Sequence, residues 1–373
     1  MILRRLALFA GIGLMIPAYF FIVRSENVSI FDAERPVENI SIPEPPSHIK
    51  TPKEVRGIYM TSWVASSLSL RSKLVAFASS SEVNSIIIDI KDYTGKIAFE
   101  TDDPVIREMG SSEKRISDIR EFISELHKKN IYVIGRVAVF QDVYATKKKP
   151  DLAVQKKGGG IWRDRKGLSF IDPGAVEYWK YIVHVSRASE AVGFDEINYD
   201  YIRFPSDGQI SQAVYPYSKG REKQVVLEDF FKYLRAELLN MGIPMSADLF
   251  GLVTWTEDDL GIGQVLERAA PHFDFIAPMV YPSHYSAGFN GYKNPATRPY
   301  DVIKVSLDKA VERLKKIGQD PQKLRPWIQD FDLGADYGVE EIKAQKKAVY
   351  DAGLHSWMAW DPSNIYTKGA YPQ

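Results

Sequence analysis

The chain has 373 residues, 45% of them apolar, enough for one barrel-sized domain with its own core plus an appendage. Lys+Arg and Asp+Glu both number 48, so the basic excess that a nucleic-acid binder needs is missing. There is no cysteine, which excludes disulfides, thiolate zinc sites, iron–sulfur clusters, cysteine nucleophiles and a lipoprotein anchor.

At the amino terminus, Arg4 and Arg5 precede an apolar run from Leu6 to Val23, and Arg24 closes it. A run of about 18 residues just suffices to cross a bilayer. The flanking positive charge holds the first residues in the cytoplasm, so the rest of the chain is expected outside it. Residues 1–24 read as an uncleaved signal anchor, with a cleaved signal peptide, and hence secretion, as the alternative. Pro36, Pro43, Pro45, Pro46 and Pro52 stand among polar residues, so residues 25–52 read as an extended linker. The remaining residues, 53–373, form the domain.

From Val55 onward, short β-type apolar runs alternate with amphipathic stretches, the pattern of a parallel sheet with crossover helices. The strands are expected at Val55–Thr61, Ser85–Lys91, Ile131–Val139, Phe194–Tyr199, Pro244–Asp248, Phe273–Met279, Leu324–Gln329 and Ser356–Trp360. The helices fall at Leu68–Ser79, Ile116–Lys129, Ala175–Ala191, Glu222–Asn240, Ile262–Ala270, Val302–Ile317 and Val339–Ala352. Eight strands predict a closed (β/α)8 TIM barrel. An open doubly wound sheet would carry a Gly-rich phosphate loop after its first strand, but Thr61-Ser62-Trp63-Val64-Ala65 stands there. Gly158-Gly159-Gly160 lacks the following Lys-Ser/Thr of a P-loop and reads as a turn. Little chain follows the eighth strand, so the eighth helix is expected to be short or missing.

In such a barrel the active face lies at the carboxyl ends of the strands. Carboxylates recur there: Asp89 and Asp92 after strand 2, Asp200 after strand 4, Asp248 after strand 5, Asp330 and Asp332 after strand 7, and Asp361 after strand 8. A single Asp after a strand is usually a cap or turn former. Five such ends, interleaved with Tyr, Trp and Arg, point instead to glycoside hydrolysis, which needs one ionised and one protonated carboxyl group across the scissile bond. Alternation puts Asn198 and Asp200 on one side of strand 4, with Arg203 expected nearby to keep Asp200 ionised. Ser246 and Asp248 share a face of strand 5, where Phe250 and Trp255 are expected to desolvate Asp248 and suit it to act as the acid. Asp195 and Glu196, at the beginning of strand 4, read as structural. Asp89, Asp92, Arg203, Tyr201, Tyr281, Asp330, Asp332 and Trp360 are candidate substrate-binding residues. Further aromatic platforms are Trp63, Tyr93, Trp162 and Tyr285.

The segment Phe194-Asp195-Glu196-Ile197-Asn198-Tyr199-Asp200-Tyr201-Ile202-Arg203-Phe204-Pro205 resembles the fourth strand of a bacterial glycoside hydrolase family, formerly a domain of unknown function. The resemblance runs from Arg56-Gly57-Ile58-Tyr59 through Asp89-Ile90-Lys91-Asp92 to Trp357-Met358-Ala359-Trp360. That family is related to α-amylase-type TIM barrels, which carry an Asp nucleophile after strand 4, a Glu acid/base after strand 5 and a stabilising Asp after strand 7. The resemblance implies these roles for Asp200, for Asp248, and for Asp330 or Asp332. Asp248 departs from the pattern, being one methylene shorter than Glu. In chitinase-type barrels a catalytic Glu stands where this chain has Ile202, so their mechanism does not carry over.

The expected partner is an extracytoplasmic polysaccharide or oligosaccharide, with no cofactor, no metal and no nucleic acid. The six histidines, His48, His127, His184, His272, His284 and His355, show no i, i+4 pairing with Glu. The long loop Gln141–Ser169 is expected to roof the cleft. A non-catalytic glycan-binding barrel of the cell envelope fits the anchor, linker and aromatics equally well. Separation of Asp200 and Asp248 by more than about 10 Å would favour it.

Overall fold

The computed structural model describes residues 47–373; the expected anchor at 1–24 and the linker up to 46 lie outside the described residues. Among the described residues no helix is long and apolar enough to cross a membrane.

The eight expected runs form eight parallel strands: β1 (Arg56–Met60), β2 (Ser85–Lys91), β3 (Tyr132–Ala138), β4 (Glu196–Asp200), β5 (Met245–Phe250), β6 (Phe275–Met279), β7 (Trp327–Gln329) and β8 (Trp357–Trp360). They hydrogen-bond in sequence order, and β8 closes on β1 through Arg56 opposite Trp357. The closure leaves no sheet edge. Sequences such as Ser85-Ile86-Ile87-Ile88 suit strands buried on both faces, one against helices and one inside the barrel. Ile86 and Ile88 face the helices, while Ile87 and Asp89 face inward, where Ile87 meets Tyr132, Ile134, Trp327 and Met358.

Six helices ring the barrel: α1 (Leu68–Ser79), α2 (Ile119–Lys128), α3 (Val176–Val192), α4 (Lys223–Glu237), α5 (Pro299–Lys316) and α6 (Val339–Asp351). In α2 the buried residues are Ile119, Phe122, Ile123 and Leu126, the spacing that gives a helix one apolar face. Helix α3 ends at Gly193, whose φ of 115° lets its N–H turn back to the Glu190 carbonyl. Between β5 and β6 the expected long helix is reduced to Leu266–Ala269. Gly263, at φ +87°, breaks the preceding stretch and packs its Cα against Leu227, where a side chain would collide. Among the described residues no helix follows β8, and the tail covers the wall with Tyr366 and Tyr371.

The last linker residues belong to the domain. Ile49 N–H donates to Asp195 Oδ1 at 2.9 Å, His48 lies 3.2 Å from Glu190, and Thr51 bonds the Tyr132 hydroxyl at 3.0 Å. These contacts lie at the amino ends of β3 and β4. His48, Ile49 and Thr51, at the end of the stretch read as a linker, are thus half-buried against the barrel.

Candidate active site

Strand pleat decides which side chains meet at the carboxyl end. Asp89 on β2, Arg136 on β3, Asn198 and Asp200 on β4, and Asp248 on β5 all face inward, and Arg136 lies opposite both Asp89 and Asn198 in the sheet register. The Arg136 guanidinium is the hub. Its Nη1 donates to Asp89 Oδ1 at 2.6 Å, and its Nε and Nη2 both donate to Asp200 Oδ2, the former at 3.1 Å. Its Nε also lies 3.8 Å from Asp248 Oδ2. Burial works against the charge of Arg136, but Asp200 and Asp89 outweigh it and hold the guanidinium firmly protonated.

Each carboxyl group meets a different environment. Asp200 Oδ1 accepts the Tyr201 N–H at 2.5 Å while Oδ2 accepts from Arg136, so both oxygens face donors, as a carboxylate anion requires. Asp248 is 1% exposed; its Oδ1 accepts from Asn198 Nδ2 at 2.9 Å and Trp327 Nε1 at 2.7 Å. Burial, and next the nearby charge of Asp200, push the Asp248 carboxyl well above the usual carboxylate range. Asp89 is also raised, first by burial and against the pull of Arg136, and accepts a 2.5 Å bond from the Tyr59 hydroxyl.

A cavity of about 290 Å³ opens beside this cluster, walled by Asp200, Tyr201, Arg203, Phe250, Tyr281 and His284. Tyr201 has a φ of +52°, a left-handed conformation that costs a non-glycine residue roughly 1–2 kcal/mol and that aims the chain after Asp200 along the cavity wall. At Gly251 a β-carbon would lie 2.4 Å from the Met279 carbonyl oxygen, so only glycine lets the β5 and β6 ends close this wall.

Several sequence expectations need correction. Arg203 does not hold Asp200: its Nη1 donates to the Phe204 carbonyl and the Ser206 hydroxyl, and the partner of Asp200 is Arg136. Trp255 is 39% exposed, and the groups in contact with Asp248 are Asn198 and Trp327. Asp330 faces the tail, accepting from the Thr367 N–H and hydroxyl and from the Tyr371 hydroxyl. Asp332 caps the Tyr337 N–H, Asp92 accepts from Thr94 and pairs with Arg115 at 3.0 Å, and Asp361 caps Ser363. These four serve turns and clasps: Asp92 and Asp330 engage both oxygens within the fold, and Asp332 and Asp361 engage Oδ1. Trp162 is buried against Phe170 and offers no stacking face. The Gln141–Ser169 loop contributes no residue to the cavity wall; it pairs Gln155–Lys156 with Ala213–Val214 in a small antiparallel ribbon.

Other candidate residues lie at the carboxyl end of the barrel. Tyr201 and Tyr281 wall the cavity, and Trp360 stacks on Tyr59 at 3.8 Å with Arg136 5.0 Å from its ring. Asp195 and Glu196 are structural: Asp195 accepts from Val133 N–H and His127, and Glu196 pairs with Arg325 at 2.7 Å at the barrel floor. Arg136, Tyr59 and Trp327 were missed by the sequence reading. Alternation from the strand ends places Tyr59 and Arg136 on the inward face, but only the closed barrel supplies the level at which they meet Asp89 and Asp200.

Among solved structures, the PgaB (BpsB) glycoside hydrolase domain from Bordetella bronchiseptica is similar over 84% of this chain and 95% of its own, with a TM-score of 0.62 and 15% identity. Alpha-L-fucosidase isoenzyme 2 from Paenibacillus thiaminolyticus covers 85% of this chain with 48% of its own, at TM-score 0.58 and 11% identity. The alpha-galactosidase TtGalA from Thermus thermophilus covers 87% with 61% of its own, at TM-score 0.52 and 12% identity. At these identities the likeness is one of fold. No curated protein sequence matches the chain. The profile of one family matches residues 57–366, from β1 into the tail after β8. The chain therefore belongs to the family described as "Putative glycosyl hydrolase domain", in agreement with the resemblance carried by its fourth strand.

Proposed function

We propose that this protein is a glycoside hydrolase of an extracytoplasmic polysaccharide, with Asp200 as the ionised carboxylate and Asp248 as the proton donor. The observation that carries the reading is the shared guanidinium of Arg136. The nearest oxygens of Asp200 and Asp248 lie 3.1 and 3.8 Å from its Nε, hence no more than about 7 Å from each other, well under the separation of about 10 Å beyond which a hydrolytic pair is ruled out. The two environments differ: both Asp200 oxygens accept from N–H donors, while Asp248 is buried, which together with the nearby Asp200 raises its carboxyl well above the usual range. Asp200 would then meet the developing positive charge of the sugar, as nucleophile or as base, while Asp248 protonates the leaving oxygen.

One observation favours a non-catalytic glycan-binding barrel instead: Asp248 contributes nothing to the cavity wall. The two readings separate in a screen of the full chain, beside Asp200→Asn and Asp248→Asn variants, against envelope and exopolysaccharide glycans. The hydrolase reading expects new reducing ends from the wild type and a loss of roughly 10²-fold or more in each variant. Glycan binding with no wild-type cleavage beyond the double variant would sink it. The extracytoplasmic location follows from the charge-flanked apolar segment at residues 6–23, in the polarity that keeps the amino end inside.

A further inference from the structure

The cavity beside Asp200 has a second charged wall that the two-carboxylate chemistry does not use. Arg203 is 9% exposed and lines this cavity. Its Nη1 is engaged by the Phe204 carbonyl and the Ser206 hydroxyl, each at 3.1 Å. Among the described residues its Nε and Nη2 have no hydrogen-bond acceptor, and no carboxylate comes within 4.0 Å of the guanidinium. In contrast, the buried Arg136 and Arg325 each have a carboxylate against them. Around Arg203 stand aromatic rings: Phe250 at 4.9 Å, Tyr201 at 5.1 Å and Phe170 at 5.7 Å. Ring faces attract a cation but do not neutralise it. Burial pulls the Arg203 guanidinium below the usual arginine value, against the opposing influence of Tyr201 and of the more distant Asp200, Asp207 and Asp164.

A desolvated cation whose free donors border an open cavity is half of an ion pair. We infer that the missing half comes from the substrate: the sugar bound beside Asp200 carries a carboxylate, as a uronic acid does, and Arg203 receives it. This rests on the glycoside hydrolase reading of the same site. A planar guanidinium presents paired N–H donors that match the two oxygens of a carboxylate. The cavity volume of about 290 Å³ is at the lower limit of ligand pockets, which suits a single sugar ring. Asp200, which lines the same cavity, would repel a second anionic group, so Arg203 is the group left to receive the carboxylate. Tyr201 and Phe250, which also line the cavity, add aromatic surface beside Arg203.

The test is calorimetric binding of glucuronate and galacturonate against glucose and galactose, with inorganic sulfate and phosphate as further probes, on the full chain. Wild-type protein should bind a uronate about ten- to a hundredfold more tightly than its neutral counterpart, the worth of a charge-assisted hydrogen-bond pair. Arg203→Gln should erase that preference and Arg203→Lys should retain part of it, with circular dichroism reporting whether each variant is folded. Equal binding of uronate and neutral sugar by the wild type would overturn the inference without need of any variant. So would a uronate preference that survives in folded Arg203→Gln, or sulfate or phosphate binding more tightly than both uronates. The Asp200→Asn and Asp248→Asn variants keep the two proposals apart. Arg203-dependent uronate binding with no cleavage of any glycan would overturn hydrolysis alone, and cleavage of neutral glycans untouched by Arg203→Gln would overturn only the anionic substrate.

Discussion

Arg136 holds the site together at the scale of single residues. It is buried, it contacts Asp89 and Asp200 directly, and it approaches Asp248, so three carboxyl groups share one cation. Removing a buried partner of this kind leaves charge unpaired in a low-dielectric interior. Arg136→Ala should therefore cost about 3–5 kcal/mol of stability, read as a fall in the urea midpoint at neutral pH. The loss should shrink at acid pH, where protonation relieves the carboxylates left behind. Asp248 sets a different dependence. Its raised pKa means that the folded protein binds this proton more tightly than the unfolded chain does. The resulting stabilisation is present in full below the ordinary carboxylate value and is lost as pH rises through the folded value. As the proton donor it gives kcat/KM an alkaline limb: activity should fall as pH rises through that same value. A pH–rate profile that stays flat from pH 5 to the limit of folding would argue against Asp248 as the acid.

Strands and their following loops explain why some strand-end carboxylates converge and others do not. Asp89, Asp200 and Asp248 occupy inward positions within their strands, whereas Asp92, Asp330, Asp332 and Asp361 come after the strands and serve the turns that follow. Asp330 ties the tail that replaces an eighth helix, through Thr367 and Tyr371. Asp330→Ala should loosen this tail and lower stability by about 1–3 kcal/mol, the cost of leaving buried donors unpaired. Glycan cleavage per folded molecule should be unchanged. A loss of kcat with an intact melting temperature would return Asp330 to the site. The lost helix between β5 and β6 has a related lesson. The apolar residues Ile262, Val265, Leu266, Ala269 and Ala270 are all buried, so the pattern of burial was legible, but Gly261 and Gly263, both at positive φ, hold the chain in turns until Leu266.

For the whole molecule, the closed barrel brings Asp200 and Arg203 to one cavity at its carboxyl end, and the amino-terminal segment is proposed to tether it outside the cytoplasm. Expressed at full length, the protein should remain with the membrane fraction after alkaline carbonate washing. Deletion of residues 1–24 should release it. Recovery of the intact chain in the soluble fraction would exclude an uncleaved anchor. The sequence by itself determined the eight-strand order, the inward alternation of Asn198 with Asp200 and of Ser246 with Asp248, and the structural role of Asp195 and Glu196. These depend on period-2 geometry and on position along a strand, which are local properties. Only the tertiary structure decided that Arg136, and not Arg203, is the partner of Asp200, that Trp327 and Asn198 enclose Asp248, and that Asp330 belongs to the tail. Arg136 and Asp200 are 64 residues apart, and Trp327 and Asp248 are 79 apart. Their meeting depends on inter-strand register and on closure of the barrel, and neither is encoded within the segment that carries the residue.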